Sequence, residues 1–464
     1  MQELADALKN IKEILWSAPL LLFLLGTGLY LTYFLNGVQF RYLFYAFQQV
    51  FAKQKTDAKG DISHFEALMT SLAGAIGTGT IVGVATAVTI GGLGSIFWMW
   101  ATAFLSMAIK YAESLLAVKY REKDKRGEMA GGPMYYIHKG LGWRWMATLF
   151  ASLGMVAALT TGNLVQANSI ADAVSHVWSI DPLFTGLTLF FLTTIVIIFG
   201  VKVIGQVASI LVPTMALLYV IAALYILMIY YDQLLPAFAL IISSAWQGQA
   251  ATGGFLGATA MMALQMGVTR SVFSNEAGLG ISSIAAAAAQ TDSPGRQALI
   301  TMTGALLSTV LVCTMTGLVL AVTHLIGTEA ANGTLLNGAA LAIAAFNLHI
   351  WGGEYIVTIG LILFAYTTIL AWSYYGEKCY EFLFGEKFIF LYRFLFGLVV
   401  IPGAVLKMGT AWYLADISNG IMIIPNLIAL IALRKVVYTE TAIFLKTVER
   451  EKIKKEIEEK KIMK

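Results

Sequence analysis

Apolar residues in this chain of 464 residues collect into long uninterrupted runs. Eleven segments stand out, at residues 15–35, 66–90, 95–118, 145–177, 183–201, 204–231, 254–289, 297–326, 353–384, 388–408 and 412–433. A helix needs about 20 such residues to cross about 30 Å of hydrocarbon. Membrane β-strands would instead show segments of about ten residues with alternating polarity. The pattern predicts eleven transmembrane helices. The first run is longer than the apolar core of a secretory signal and lacks a small-x-small cleavage site, so it reads as a span.

Composition supports lipid as the solvent. The chain is 58% hydrophobic and 12% charged, against about 25% charged in soluble domains. Cys313 and Cys379 are the only cysteines. They make no disulfide framework or paired metal spacing and read as small buried apolar residues. Charge placement adds orientation. Of the 31 Lys and Arg, 26 fall in loops, the tail or the adjoining span ends on one side of the predicted spans. Lys9, Lys12 and Lys407 fall on the other side, while Lys110 and Arg270 lie within spans. The positive-inside rule puts the N-terminus outside the cell membrane and the C-terminus in the cytoplasm, which requires an odd number of spans. The loops 232–253 and 327–352, without Lys or Arg, suit the outside. The tail 446–464 alternates Lys and Glu and reads as a solvated helix.

Two spans are poor helices. The second contains Gly74-Ala75-Ile76-Gly77-Thr78-Gly79-Thr80-Ile81-Val82-Gly83, four glycines in ten residues. Each glycine weakens a helix by about 1 kcal/mol relative to alanine. The seventh carries Arg270, Ser271, Ser274, Asn275 and Glu276 at its middle, where charges facing lipid cost several kcal/mol. Spans 2–6 and 7–11 form two groups of five, each opening on its interrupted span. An odd group size inverts the second group. Interrupted helices at matching positions of inverted repeats point to a transporter's binding site. The expected organisation is an extra helix and loop at 1–65, one repeat at 66–231, an outside loop and the second repeat at 232–433, and a charged tail at 434–464. The other reading of a glycine-rich span is close helix packing, for which Gly79 and Gly83 have the GxxxG spacing.

Three motifs then carry a resemblance. Gly91-Gly92-Leu93-Gly94-Ser95-Ile96-Phe97-Trp98-Met99-Trp100, Gly131-Gly132-Pro133-Met134-Tyr135-Tyr136-Ile137 and Ser274-Asn275-Glu276-Ala277-Gly278-Leu279-Gly280 resemble the signatures of the alanine or glycine:cation symporters. The resemblance covers about residues 15–435. It implies a leucine-transporter-type fold, sodium as coupling ion, and substrates such as alanine and glycine. Where the family pattern has Asn after Gly-Thr-Gly, this chain has Thr80. Thr offers one hydroxyl oxygen in place of an amide carbonyl, which puts one of two sodium sites in doubt.

A free amino acid is a zwitterion, and both of its ends must be met. The half-helix beginning near Thr80 exposes N–H groups suited to a carboxylate, with Thr78 and Gly79 the best donors. Carbonyls freed around Phe273, Ser274 and Asn275 suit an ammonium. In the fourth span Asn163 and Gln166 lie three apart, on one face of an α-helix. They face either the site or a neighbouring helix. Phe273 and Trp372 are bulky enough to wall a small pocket, or they are ordinary packing. Sodium takes hard oxygen ligands, a preference extended here from other hard cations. By resemblance to the fold, the hydroxyls of Thr367 and Thr368 face the carbonyls of Ala73 and Ile76. The other reading has each Thr bonding its own helix. Lys110 with Glu113, and Arg270 and Glu276, read equally as gates or as structural ion pairs.

Other classes fit less well. His64, His138, His176, His324 and His349 are scattered and form no HExxH or Ser/His/Asp constellation, so no enzyme is expected. No nucleic-acid partner is expected either. A channel gains nothing from an inverted repeat around a closed site. A carrier of the same fold for another small solute stays open, as does the oligomeric state.

Overall fold

The structure, a computed structural model, describes residues 2–52, 59–247, 259–329 and 333–462. The first residues of the seventh apolar segment, 254–258, lie outside these ranges, as does part of the loop before it. Among the described residues, six helices are long and apolar enough to cross a membrane: Gly94–Lys119, Arg144–Trp178, Val201–Ile229, Pro294–Thr323, Gly353–Phe384 and Gly409–Ala432. A further candidate is the pair Asp6–Leu15 and Ala18–Phe34, bent by 42°. Pro19, in the first turn of the second member, has no N–H with which to continue the preceding helix. Pro182–Ile197 and Ile389–Val405 are shorter apolar helices.

The second apolar segment is broken. Its first half, His64–Ala75, starts on a capping box. Glu66 N–H donates to Ser63 Oγ at 3.1 Å, and Ser63 N–H donates to Glu66 Oε2 at 2.7 Å. These bonds satisfy two end donors reciprocally. The helix stops at Ala75, a 3₁₀ turn covers Thr78–Thr80, and Val82–Gly91 resumes. Close approach explains the glycines here. A Cβ on Gly77 would overlap Thr368 Oγ1 and lie 2.9 Å from Gln166 Oε1.

The seventh segment breaks as well. Ala260–Asn275 ends, Glu276, Gly278 and Gly280 take positive φ, and Ser283–Ala288 follows. His64–Ala75 packs against Val201–Ile229, Gly353–Phe384 and Pro294–Ala305. Ala260–Asn275 packs against Gly94–Lys119 and Val82–Gly91. Both breaks are therefore walled by protein, the condition under which irregular backbone is tolerated at membrane depth.

Three features differ from the sequence expectation. The loops 232–253 and 327–352 contain the helices Leu234–Gln247 and Gly338–Asn347. The tail begins a continuous helix at Arg434 that runs to Ile462. This helix is partly docked rather than wholly solvated: Phe444 and Val448 are buried, and Glu451 meets Arg296 at 2.6 Å. Buried apolar side chains at 437, 444 and 448 are close to helical spacing, a signal hidden among the charges.

Candidate functional site

The two breaks lie alongside each other. Phe273 sits on Gly79, where an added Cβ would be 2.6 Å from Phe273 Cδ1. Glu276 sits on Gly74, where an added Cβ would be 2.8 Å from Glu276 Oε1. Thr78, Thr80, Gln166, Phe273, Glu276 and Trp372 are all buried, so the contact between the breaks is shut off from solvent.

The donor expected to read a carboxylate already has a partner. Thr78 N–H donates to Gln166 Oε1 at 3.1 Å, and Gln166 Nε2 donates to Thr161 O at 3.0 Å. The half-helix start therefore attracts an oxygen acceptor, as its dipole requires, and the protein supplies one from a side chain. The buried Thr78 hydroxyl makes no hydrogen bond among the described residues. Thr80 turns its hydroxyl back to Gly77 O at 2.8 Å.

Asn163 goes elsewhere: its Nδ2 donates to Phe396 O at 2.7 Å. A π-helical turn at Thr160–Leu164 interrupts the span. The three-residue spacing no longer holds Asn163 and Gln166 on one face, because that rule assumes α-helical geometry throughout.

An oxygen cluster lies on the other side of the first break. Thr368 Oγ1 donates to Ala73 O at 2.8 Å and contacts Phe364 O at 2.9 Å. Thr367 Oγ1 donates to Phe364 O at 3.0 Å and reaches Met215 Sδ at 3.8 Å. Of the two threonines, Thr368 is the one that bridges to the broken helix. Thr367 is turned toward Val201–Ile229, since adjacent helical residues do not share a face. Ile76 caps the half-helix, its N–H bonding Leu72 O at 2.6 Å. Ala73 O, Phe364 O and the Thr368 hydroxyl form a neutral, hard-oxygen set, with the Thr367 hydroxyl joined to it only through Phe364 O. Phe364 O adds an acceptor that the sequence does not single out. Its signal was the tendency of a helical Thr to bond the carbonyl three or four residues back.

Of the carbonyls expected to hold an ammonium, that of Asn275 is engaged. Lys110 Nζ donates to Asn275 O at 2.8 Å. Ser274 Oγ and Thr309 Oγ1 lie 2.7 Å apart, and Asn275 Nδ2 donates to Ser271 Oγ at 3.1 Å. Trp372 stands at the break, its Nε1 donating to Gly74 O at 3.4 Å.

The candidate ion pairs also resolve. Glu113 bonds Gly278 N–H at 2.9 Å and Asn426 Nδ2 at 2.7 Å, and Lys110 is not within ion-pair distance of it. Arg270 pairs with Asp416 at 2.6 Å. The Arg270 guanidinium lies 4.6 Å from the Trp412 ring centre, and Trp412 stacks on Phe273 at 4.8 Å.

Residues 1–459 match the sequence model of the Sodium:alanine symporter family. The sodium/alanine symporter AgcS of Methanococcus maripaludis is 50% identical over 95% of this chain and 97% of its own length. The probable sodium/glutamine symporter GlnT of Bacillus subtilis is 37% identical over 95% of this chain and 90% of its own. Among solved structures, MhsT in complex with L-phenylalanine superposes with a TM-score of 0.57 at 13% identity, covering 83% of this chain and 99% of that one. The last likeness concerns the fold alone, which is the leucine-transporter type. The protein is a helical, multi-pass membrane transporter rather than an enzyme, and the match along almost its whole length shows that the chain belongs to the sodium:alanine symporter family.

Proposed function

We propose that this transporter couples sodium entry to the uptake of alanine and glycine, with the ion bound by Ala73, Ile76, Phe364, Thr367 and Thr368 and the substrate between the two breaks. The observation that carries this reading is the hydrogen bond from Thr368 to Ala73 O. It places an oxygen cluster across the same break whose far end meets Gln166. An ion there ties His64–Ala75 to Gly353–Phe384 and favours whichever conformation holds those helices together. A ligand shifts an equilibrium only through such a difference in affinity. One sodium crossing 100 mV supplies about 2.3 kcal/mol, and a tenfold gradient adds about 1.4 kcal/mol. Together these support roughly 500-fold accumulation. Uptake of labelled alanine by proteoliposomes is expected with an inward sodium gradient and not with potassium in its place. Uptake that ignores sodium would remove the ion from the mechanism. Stronger competition by glutamine than by alanine would favour a larger substrate.

The architecture goes with this reading. Eleven spans, one extra at the N-terminus and two inverted repeats of five at 66–231 and 232–433, are supported by helix pairing. Spans that a two-fold relation would match pack on each other: Gly94–Lys119 on Pro294–Ala305, Arg144–Leu159 on Gly353–Phe384, and Pro182–Ile197 on Ile389–Val405. The odd count and the Lys and Arg distribution put the N-terminus outside and the tail 434–464 in the cytoplasm. Lys125 is exposed, so Lys125→Cys should react with a membrane-impermeant maleimide only after cells are opened. Labelling of intact cells would reverse the orientation.

A further inference from the structure

Glu276 is 1% exposed, and neither of its carboxylate oxygens meets a full hydrogen bond among the described residues; the Trp372 indole N–H, 3.4 Å from Gly74 O, is the donor turned toward it. It caps Ala260–Asn275 from a left-handed conformation, φ +59, which costs a residue with a Cβ about 1–2 kcal/mol. Its oxygens rest on Gly74, at the end of the half-helix His64–Ala75. Two helix C-termini therefore converge on a carboxylate, and each carries the partial negative charge of its unpaired carbonyls.

The charges that face it do not balance. Lys110 supplies one positive charge and is committed to Asn275 O. Glu113 supplies a second carboxylate. Tyr375 and Trp372, the neighbours from Gly353–Phe384, bring no charge. The pocket is short of one cation, and an unpaired buried charge is strongly unfavourable.

Register says which cation. Phe273 lies beside Gly79 and Glu276 beside Gly74, so the second break runs along the first. One end of this line of contact carries the Thr78 hydroxyl, buried and unbonded among the described residues and able to donate to a carboxylate. The other end offers Glu276. We infer that the Glu276 carboxylate receives the ammonium of the substrate amino acid, with Lys110 holding the adjacent Asn275 carbonyl and so leaving Glu276 as the acceptor. This rests on the amino-acid uptake proposed above and adds the residue that reads the amine.

The test uses purified full-length protein and follows thermal unfolding with sodium alone, then with sodium and alanine. In the wild type, sodium should raise the midpoint and alanine should raise it further. E276Q should keep the response to sodium and lose that to alanine, with alanine affinity falling roughly a hundredfold, as for truncating one partner of a buried charge pair. E276D keeps the charge but withdraws it by one methylene, and should fall between the two. Lactate, which has a hydroxyl in place of the ammonium, should not shift wild-type protein. An unchanged alanine response in E276Q overturns the inference. So does loss of the sodium response, which would make Glu276 part of the ion site or of the scaffold. A lactate response equal to that of alanine overturns it without any variant. A wild type indifferent to alanine would instead refute the proposed substrate.

Discussion

Thr368→Val should abolish sodium-dependent uptake at ordinary sodium concentrations, while Thr367→Val should weaken it only modestly. Valine keeps the shape of threonine and removes the hydroxyl. At 368 that hydroxyl is the single side-chain link from Gly353–Phe384 to Ala73 O. Its loss removes an ion ligand and leaves a buried carbonyl unpaired, at a cost of about 1–3 kcal/mol. That raises the sodium requirement by roughly one to two orders of magnitude. Thr367 already turns to Phe364 O and Met215 Sδ, so its substitution disturbs the cluster indirectly. The measurement is the sodium concentration giving half-maximal uptake in proteoliposomes, wild type against each variant. Equal sodium dependence in Thr368→Val and wild type would move the ion site elsewhere.

Arg270→Gln should cost both stability and transport, and Asp416→Asn in the same chain should restore much of the stability. The pair is buried on both sides, at 3% and 2% exposure. Removing one member strands the other charge, which costs about 3–5 kcal/mol. Lys12, 3.8 Å from Asp416, compensates only in part at that distance. Replacing both partners removes both charges and with them most of the penalty. Transport should not recover to the same extent, for a geometric reason. Arg270 lies over Trp412, Trp412 stacks on Phe273, and Phe273 rests on Gly79. The ion pair thus joins Ala260–Asn275 to Met408–Ala432 and reaches the first break through Phe273, where it would seal the site proposed above. Melting temperature and initial uptake rate of the two single variants and the double variant form the test. A single variant that melts and transports like the wild type would leave the pair with neither role.

Much of the architecture was legible because its causes are local. Continuous apolar runs must lie in lipid or in a bundle core. A run of Gly74, Gly77, Gly79 and Gly83 cannot stay helical without packing support. Arg270, Asn275 and Glu276 cannot face hydrocarbon. Each argument needs only neighbours in sequence, and the structure breaks both segments at those residues. Gln166 was legible for a related reason: a polar amide in a membrane helix needs a partner, and the first break offers a donor.

The partners themselves were settled only by tertiary packing. Thr367 and Thr368 are chemically alike, and which one meets Ala73 depends on the rotation of Gly353–Phe384 about its axis. The spacing of Asn163 and Gln166 predicts one shared face, but the π turn at Thr160–Leu164 sends them to separate partners, and no local propensity announces that turn. Lys110 reaches Asn275 O across 165 residues of chain, and Arg270 reaches Asp416 across 146. Glu276 has no full hydrogen bond among the described residues, while Lys110 is bonded to Asn275 O and Glu113 to Asn426 and Gly278. Sequence by itself determined that this chain lives in a membrane, where its helices break and which polar residues must turn inward, because burial and backbone hydrogen bonding act on every short stretch. Which inward-facing group is satisfied and which is left for a ligand was decided by the tertiary structure, because a hydrogen bond is directional and each donor and acceptor can be used only where the packed helices bring a partner within about 3 Å.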